Sequence, residues 1–165
     1  LTRMLQGYSM ESSFEKTREV LAELGLDHID ETRMTHELSG GQQQRLAFAR
    51  AVLPDFTVLF GDEPTGNLDS DNAVKAMELL SAKLSSLEGS SAIIVSHDMH
   101  LAVSFADVII KIRKESRRSQ SVSDEISYYG VIDDASVFTP SADGIWSNGG
   151  ESYPAPEFEK FLKRI

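Results

Sequence analysis

The sequence contains no cysteine, so it carries neither a disulfide framework nor a cysteine-ligated zinc site, and a reducing compartment is allowed. It is also short of positive charge. Sixteen Lys and Arg stand against 26 Asp and Glu, a net charge of −10. That balance argues against a broad nucleic-acid surface, which needs clustered basic side chains, and no nucleic-acid partner is expected. One local Mg–nucleotide site remains compatible with it. Long hydrophobic runs are missing too. The longest centres on Val108-Ile109-Ile110, far below the roughly 18 residues of a membrane span. No basic start followed by an apolar block suggests a secretory signal. The chain opens at Leu1 rather than Met, as expected of a fragment.

What remains is ordinary globular material. The 165 residues, 41% of them hydrophobic, suffice for one modest domain with a core. Apolar periodicity predicts a helix over residues 12–25, with Ser12 and Glu15 as a capping box and Phe14, Val20, Leu21 and Leu24 on one face. Gly25 is its expected C-terminal cap, with Leu26 folding back. A polar connector follows over 27–37. A second helix runs from Ser39 to about Leu53, before Pro54. Buried strands are expected at 56–61 and 92–96, with a helix over 70–87 between them, a short helix at 99–105 and a third strand at 107–112. Strands alternating with helices indicate an α/β sheet built from crossover units. Beyond residue 112 the reading changes. Residues 113–125, with Arg113, Lys114, Arg117 and Arg118, read as a solvated loop, and 128–138 as a strand returning to 107–112. Residues 139–156 read as irregular and 157–165 as a last short helix.

Three segments carry chemistry. In Leu38-Ser39-Gly40-Gly41-Gln42-Gln43-Gln44-Arg45, a Ser at a helix N-cap precedes two glycines. Bare backbone N–H groups at the positive end of a helix make an anion cradle, and glycine lets phosphate oxygens approach. In Val58-Leu59-Phe60-Gly61-Asp62-Glu63, two carboxylates close a strand at the edge where open α/β sheets bind ligands. Asp62 suits Mg²⁺, held through water. Glu63 is placed to orient or deprotonate an attacking water. In Ile93-Ile94-Val95-Ser96-His97, a histidine ends the neighbouring strand, within reach of a γ-phosphate or of Glu63. Taken singly, each has a plain structural reading: a helix start, an acidic turn, a strand-end histidine. His97 and His100 lack a third ligand at suitable spacing for a metal site.

Together and in this order, the segments resemble the ABC ATPase family. Leu38 to Arg45 matches the family's signature motif and Val58 to Glu63 its Walker B strand with the catalytic glutamate. Asn67-Leu68-Asp69 matches its D-loop and His97 its switch histidine. The likeness covers about residues 1–112. The run from Glu63 to Asp69 is similar to the branch serving lipoprotein release, macrolide efflux and cell division; Gly61, where an aliphatic residue or Ala is usual, departs from the pattern. The resemblance implies ATP and Mg²⁺ as cofactors, with Glu63 and His97 catalytic and Asp62 on the metal. It implies a head-to-tail dimer in which Ser39, Gly40, Gly41 and Gln42, with Asp69, serve nucleotide binding, the signature helix capping ATP held by the second ATPase subunit. It further implies a transmembrane permease subunit as partner and a place on the cytoplasmic face of the membrane.

The fold expected on this basis is a partial P-loop NTPase fold of α/β class. Residues 1–38 form the end of the family's helical subdomain, 39–112 the C-terminal part of the nucleotide-binding core, and 113–165 a polar loop, possible strand return and tail. No Gly-Lys-Ser/Thr loop occurs in the sequence; in this family it lies upstream, as does the Q-loop glutamine. Gln6 stands too near the signature to serve as the latter. The chain alone is therefore expected to bind ATP poorly and to hydrolyse it negligibly. A C-terminal lobe of a DNA-repair or chromosome-organising ATPase is the alternative, opposed by the lack of heptads before Leu38. A non-catalytic remnant is another, opposed by the presence of both Glu63 and His97.

Overall fold

The computed structural model describes residues 2–30, 32–118 and 126–163. The chain divides into two compact units, Leu1–Asp98 and Met99–Ile165.

The first unit contains α1 (Thr2–Leu5), α2 (Met10–Glu23), α3 (Gly40–Val52), β1 (Val58–Asp62), α4 (Ser70–Ser86) and β2 (Ser91–Val95). The α2 helix starts earlier than its periodicity predicts. Ser9, not Ser12, is the N-cap, and its side chain accepts from the Ser12 amide at 3.1 Å. Local spacing alone does not distinguish these two serines. Phe14, expected on the inner face, is 56% exposed, while Val20 and Leu24 go inward. The end of α2 follows expectation. Gly25 takes φ +64°, the Leu26 amide bonds back to the Leu21 carbonyl at 2.8 Å, and Leu26 is buried.

One mainly aliphatic core unites the helices. Val20, Leu24 and Leu26 meet Phe48, Ala49 and Val52 of α3 and Ala76 and Leu80 of α4, with Leu59, Ala92 and Ile94 packed against them. Each large side chain so buried is worth about 1.5–3 kcal/mol. Asp55, just past α3, ties the edges together. Lys83 of α4 lies 2.7 Å from its carboxylate and Tyr8 donates to it at 2.6 Å, and Lys83 first, then Tyr8, hold that carboxyl below its ordinary range. Gln6 bonds the Asp55 backbone in both directions, a structural clamp just before the start of β1.

Strands β1 and β2 pair in parallel, Val58 opposite Ser91 through Asp62 opposite Val95, with α4 as the crossover. They were expected to be buried, but only one face is covered. Leu59 and Ile94 face the helices, while Val58, Phe60, Ile93 and Val95 are exposed. A continuous apolar run does not by itself reveal how many faces a strand buries; among the described residues of this unit, helices pack on one. A side chain at Gly61 would come within 2.8 Å of the Ile94 Cδ1.

The second unit holds α5 (Met99–Phe105), β3 (Ile109–Ile110), β4 (Arg113–Arg118), β5 (Ile126–Val131), β6 (Val137–Pro140), β7 (Ile145–Ser147), β8 (Ser152–Pro154) and α6 (Ala155–Leu162). The sequence reading needs three corrections here. Residues 113–118 are a strand rather than loop, pairing antiparallel with β5, and Arg113 forms an ion pair with Asp133; 119–125 lie outside the described residues. The expected single strand 128–138 is two, and only Val137–Phe138 returns to Ile109–Ile110. The stretch read as irregular contributes a meander, β6-β7-β8. Its strands are too short for alternation to show, and an aromatic cluster organises them. Phe138, Trp146, Phe158 and Leu162 are all buried, with Trp146 stacked on Phe158 at 5.2 Å between ring centroids.

Candidate functional site

The β1–α4 turn and the end of β2 form the centre of the site. Glu63 follows the last residue of β1 and takes φ +47°, a left-handed conformation that costs a non-glycine residue about 1–2 kcal/mol. The surroundings hold it there. Its amide donates to the Val95 carbonyl at 2.9 Å, and its carbonyl accepts from the Gly66 amide at 3.1 Å and from the Gln44 side chain at 3.0 Å. This twist aims the carboxylate across to the neighbouring strand. Oε1 accepts from the His97 amide at 3.0 Å and lies 2.7 Å from the His97 Nδ1.

The pairing has an electrical consequence. Hydrogen bonding to Glu63, followed by the attraction of its charge, raises the His97 pKa above the ordinary imidazole value. The other Glu63 oxygen, Oε2, is shielded from solvent and accepts no hydrogen bond among the described residues. A cleft of about 90 Å³ adjoins the pair, bordered by Thr65, Ser70, Ser96 and Asp98 among others. At about 30 Å³ per water, such a space suits a few waters rather than a whole nucleotide.

Asp62 ends β1 with an exposed carboxylate that makes no ion pair or hydrogen bond among the described residues. Such a lone carboxylate fits Mg²⁺, which keeps several waters and takes one or two protein carboxylates beside substrate phosphates.

The tip of α3 is built as its sequence suggests. The Ser39 side chain accepts from the Gln42 amide at 3.3 Å, and the Gln42 side chain accepts from the Ser39 amide at 2.9 Å. That reciprocal box occupies Ser39 and Gln42 and leaves the Gly40 and Gly41 amides at the helix start, where no preceding turn supplies acceptors. Nothing would crowd a side chain at Gly40, so the tip is open. Asp69 is placed differently from Ser39 to Gln42. It is the N-cap of α4, bonding the Asn72 amide at 3.0 Å and the Asn72 side chain at 2.6 Å, and those bonds hold its carboxyl below the ordinary range.

The structure thus brings Glu63 and His97 into contact, sets Asp62 beside them, and gives Asp69 a helix-capping role. It also adds Gln44, whose carboxamide spans from α3 to Glu63 and Asn67. Within the run Gln42-Gln43-Gln44 no local pattern tells which glutamine faces the strand end.

The chain resembles known proteins in sequence and in fold. The ABC transporter family matches residues 3–66. The macrolide export ATP-binding/permease protein MacB of Vibrio parahaemolyticus is 42% identical over 131 residues, 78% of this chain and 18% of that protein. The lipoprotein-releasing system ATP-binding protein LolD of Syntrophotalea carbinolica is 42% identical over 112 residues, 66% of this chain and 47% of that protein. The dimeric structure of MJ0796, described as a bacterial ABC transporter cassette, aligns with a TM-score of 0.53 and 37% identity, covering 62% of this chain and 44% of its own. The same cassette is known in a post-hydrolysis state bound to ADP and Pi. The chain therefore spans less than half the length of each of these relatives.

Proposed function

Since this chain belongs to the ABC transporter ATPase family, we propose that it supplies the hydrolytic edge and the signature helix of an ATP-driven transport motor. The observation that carries this reading is the Glu63–His97 pair, 2.7 Å apart at the ends of adjacent parallel strands. His97 occupies Oε1 and fixes the carboxylate plane. Oε2, shielded and without a hydrogen-bond partner among the described residues, would be the oxygen left to take a proton from an attacking water admitted beside it. Asp62 would hold Mg²⁺ through water, and the ion would supply neutralisation of phosphate charge. The Gly40 and Gly41 amides at the tip of α3 would receive phosphate oxygens of a nucleotide bound to a second ATPase subunit. Asp69, as cap of α4, would shape the loop that meets that subunit. The partner across the membrane would be a permease subunit, and the ATPase would sit on the membrane's cytoplasmic face. No helix among the described residues is long and apolar enough to cross a membrane.

The phosphate-gripping Gly-rich loop is not in this sequence, so the test supplies it. The chain is joined behind the Gly-rich-loop half of the Syntrophotalea LolD protein, and phosphate release from MgATP is measured. Turnover is expected, and Glu63→Gln is expected to lower it about 100-fold or more while ATP stays bound. Ser39→Phe is expected to stop turnover with binding retained. Unchanged turnover in Glu63→Gln would remove Glu63 from the chemistry. The chain by itself is expected to bind ATP weakly; micromolar affinity would contradict the need for the loop.

A further inference from the structure

Gln44 takes no part in the chemistry just described, yet it is bonded to both ends of the turn that carries it. It stands four residues after Gly40 on α3, on the same face of the helix as the glycine tip. Its Nε2 donates to the Glu63 carbonyl at 3.0 Å and its Oε1 accepts from the Asn67 amide at 2.9 Å. The orientation of the carboxamide is fixed by these partners. Turned over, it would set an amine against an N–H and an oxygen against a carbonyl. Gly41, on the same face, lies close to the Asn67 carbonyl, and a side chain there would meet that oxygen at 3.6 Å. The tip of α3 and the turn after β1 are thus in contact at two levels.

The strained backbone gives the bond its meaning. Glu63 sits at φ +47°, the one non-glycine residue among those described with positive φ. A residue in that region persists only where its surroundings over-determine it. On the carbonyl side of Glu63, the holding bonds are those from Gly66 and Gln44. With Gln44 removed, the Gly66 amide alone would hold that carbonyl, and the strained peptide would be less constrained.

We propose that Gln44 is a positioning residue: it holds Glu63 in its left-handed conformation, so that the carboxylate meets His97, and it locks that arrangement to the tip of α3. Its consequence rests on the ATPase reading above. In a head-to-tail dimer the tip of α3 serves one nucleotide and Glu63 the other, so Gln44 links the two sites within one chain.

The test uses this chain and does not depend on turnover, so it can fail or succeed apart from the ATPase reading. Amide-proton exchange is followed residue by residue by NMR in the wild type, Gln44→Leu, Gln44→Glu and Gln43→Leu. The Asn67 amide touches Gln44 directly; the His97 amide does not, and reports on where Glu63 points. In Gln44→Leu both amides are expected to exchange about tenfold faster. In Gln44→Glu, which keeps an acceptor for Asn67 but no donor for Glu63, the His97 amide is expected to speed up while Asn67 changes little. Gln43→Leu, whose side chain bonds Leu38 instead, leaves both unchanged. Should either Gln44 variant fold and leave the His97 amide at its wild-type rate, the positioning role is wrong and Gln44 merely braces the turn. Should Gln44→Leu fail to fold, Gln44→Glu decides on its own.

Discussion

The two units of this chain are built on different cores. The first packs aliphatic side chains from three helices against one face of a two-stranded parallel sheet, centred on Leu24, Val52 and Leu80. The second packs aromatic rings from short antiparallel strands and one helix, centred on Phe138, Trp146 and Phe158. The contrast extends to chemistry. The residues assigned to the proposed chemistry lie in the first unit, beside its strained Glu63. In the second unit polar side chains close turns, as where Asn148 accepts from the Glu151 amide. A helix-and-strand frame with aligned strand ends offers a place where charge can be aimed. A meander locked by stacked rings offers a surface and a stable fold.

The comparison breaks first at its centres. Phe158→Ala should cost the second unit about 3–5 kcal/mol, since it removes a fully buried ring on which Trp146 stacks. Trp146 is the sole tryptophan, so its fluorescence reports the loss directly. Leu80→Ala should cost the first unit about 2–5 kcal/mol, read by hydrogen exchange in α4. Ser39→Ala removes the cap of α3 and should cost about 1 kcal/mol. Phe60→Ser should change stability by less than about 0.5 kcal/mol, because Phe60 is 75% exposed. A large loss there would mean that the outer face of β1 is covered in solution.

Legibility from sequence follows the same division. The tip of α3, the Glu63 and His97 strand ends and the crossover helix α4 were readable, because each rests on local signals: a cap, an acidic strand end, a period near 3.6 residues. At α2 local spacing suggests Ser12 as the cap, whereas Ser9 caps the helix. The meander of the second unit was not readable. The short hairpins that pair Thr139 with Ser147 and Trp146 with Tyr153 are backed by Phe138 against Phe158, a ring contact between residues far apart in sequence. Alternation within strands of three or four residues leaves no periodic trace. The likeness to the Vibrio MacB protein nonetheless reaches beyond residue 112, since it spans 131 residues. The left-handed backbone of Glu63 was also invisible, because glutamate gives no sign of that conformation and the bonds enforcing it come from Val95, Gly66 and Gln44.

The smallest expected effect concerns pH. His97 gains its raised pKa from Glu63, so the pair's contribution to stability is complete below the ordinary imidazole value of about 6.5. It is lost as pH rises through the raised folded-state value. Stability of the first unit should therefore decline slightly across that window, and the decline should vanish in Glu63→Gln.

The most direct test of the site is the titration of the His97 imidazole by NMR, in the wild type and in Glu63→Gln. With the carboxylate and the imidazole joined across the strand ends, the wild-type midpoint lies above that of a free histidine and falls back towards it in the variant. Equal midpoints in the two proteins would mean that Glu63 and His97 do not meet in solution.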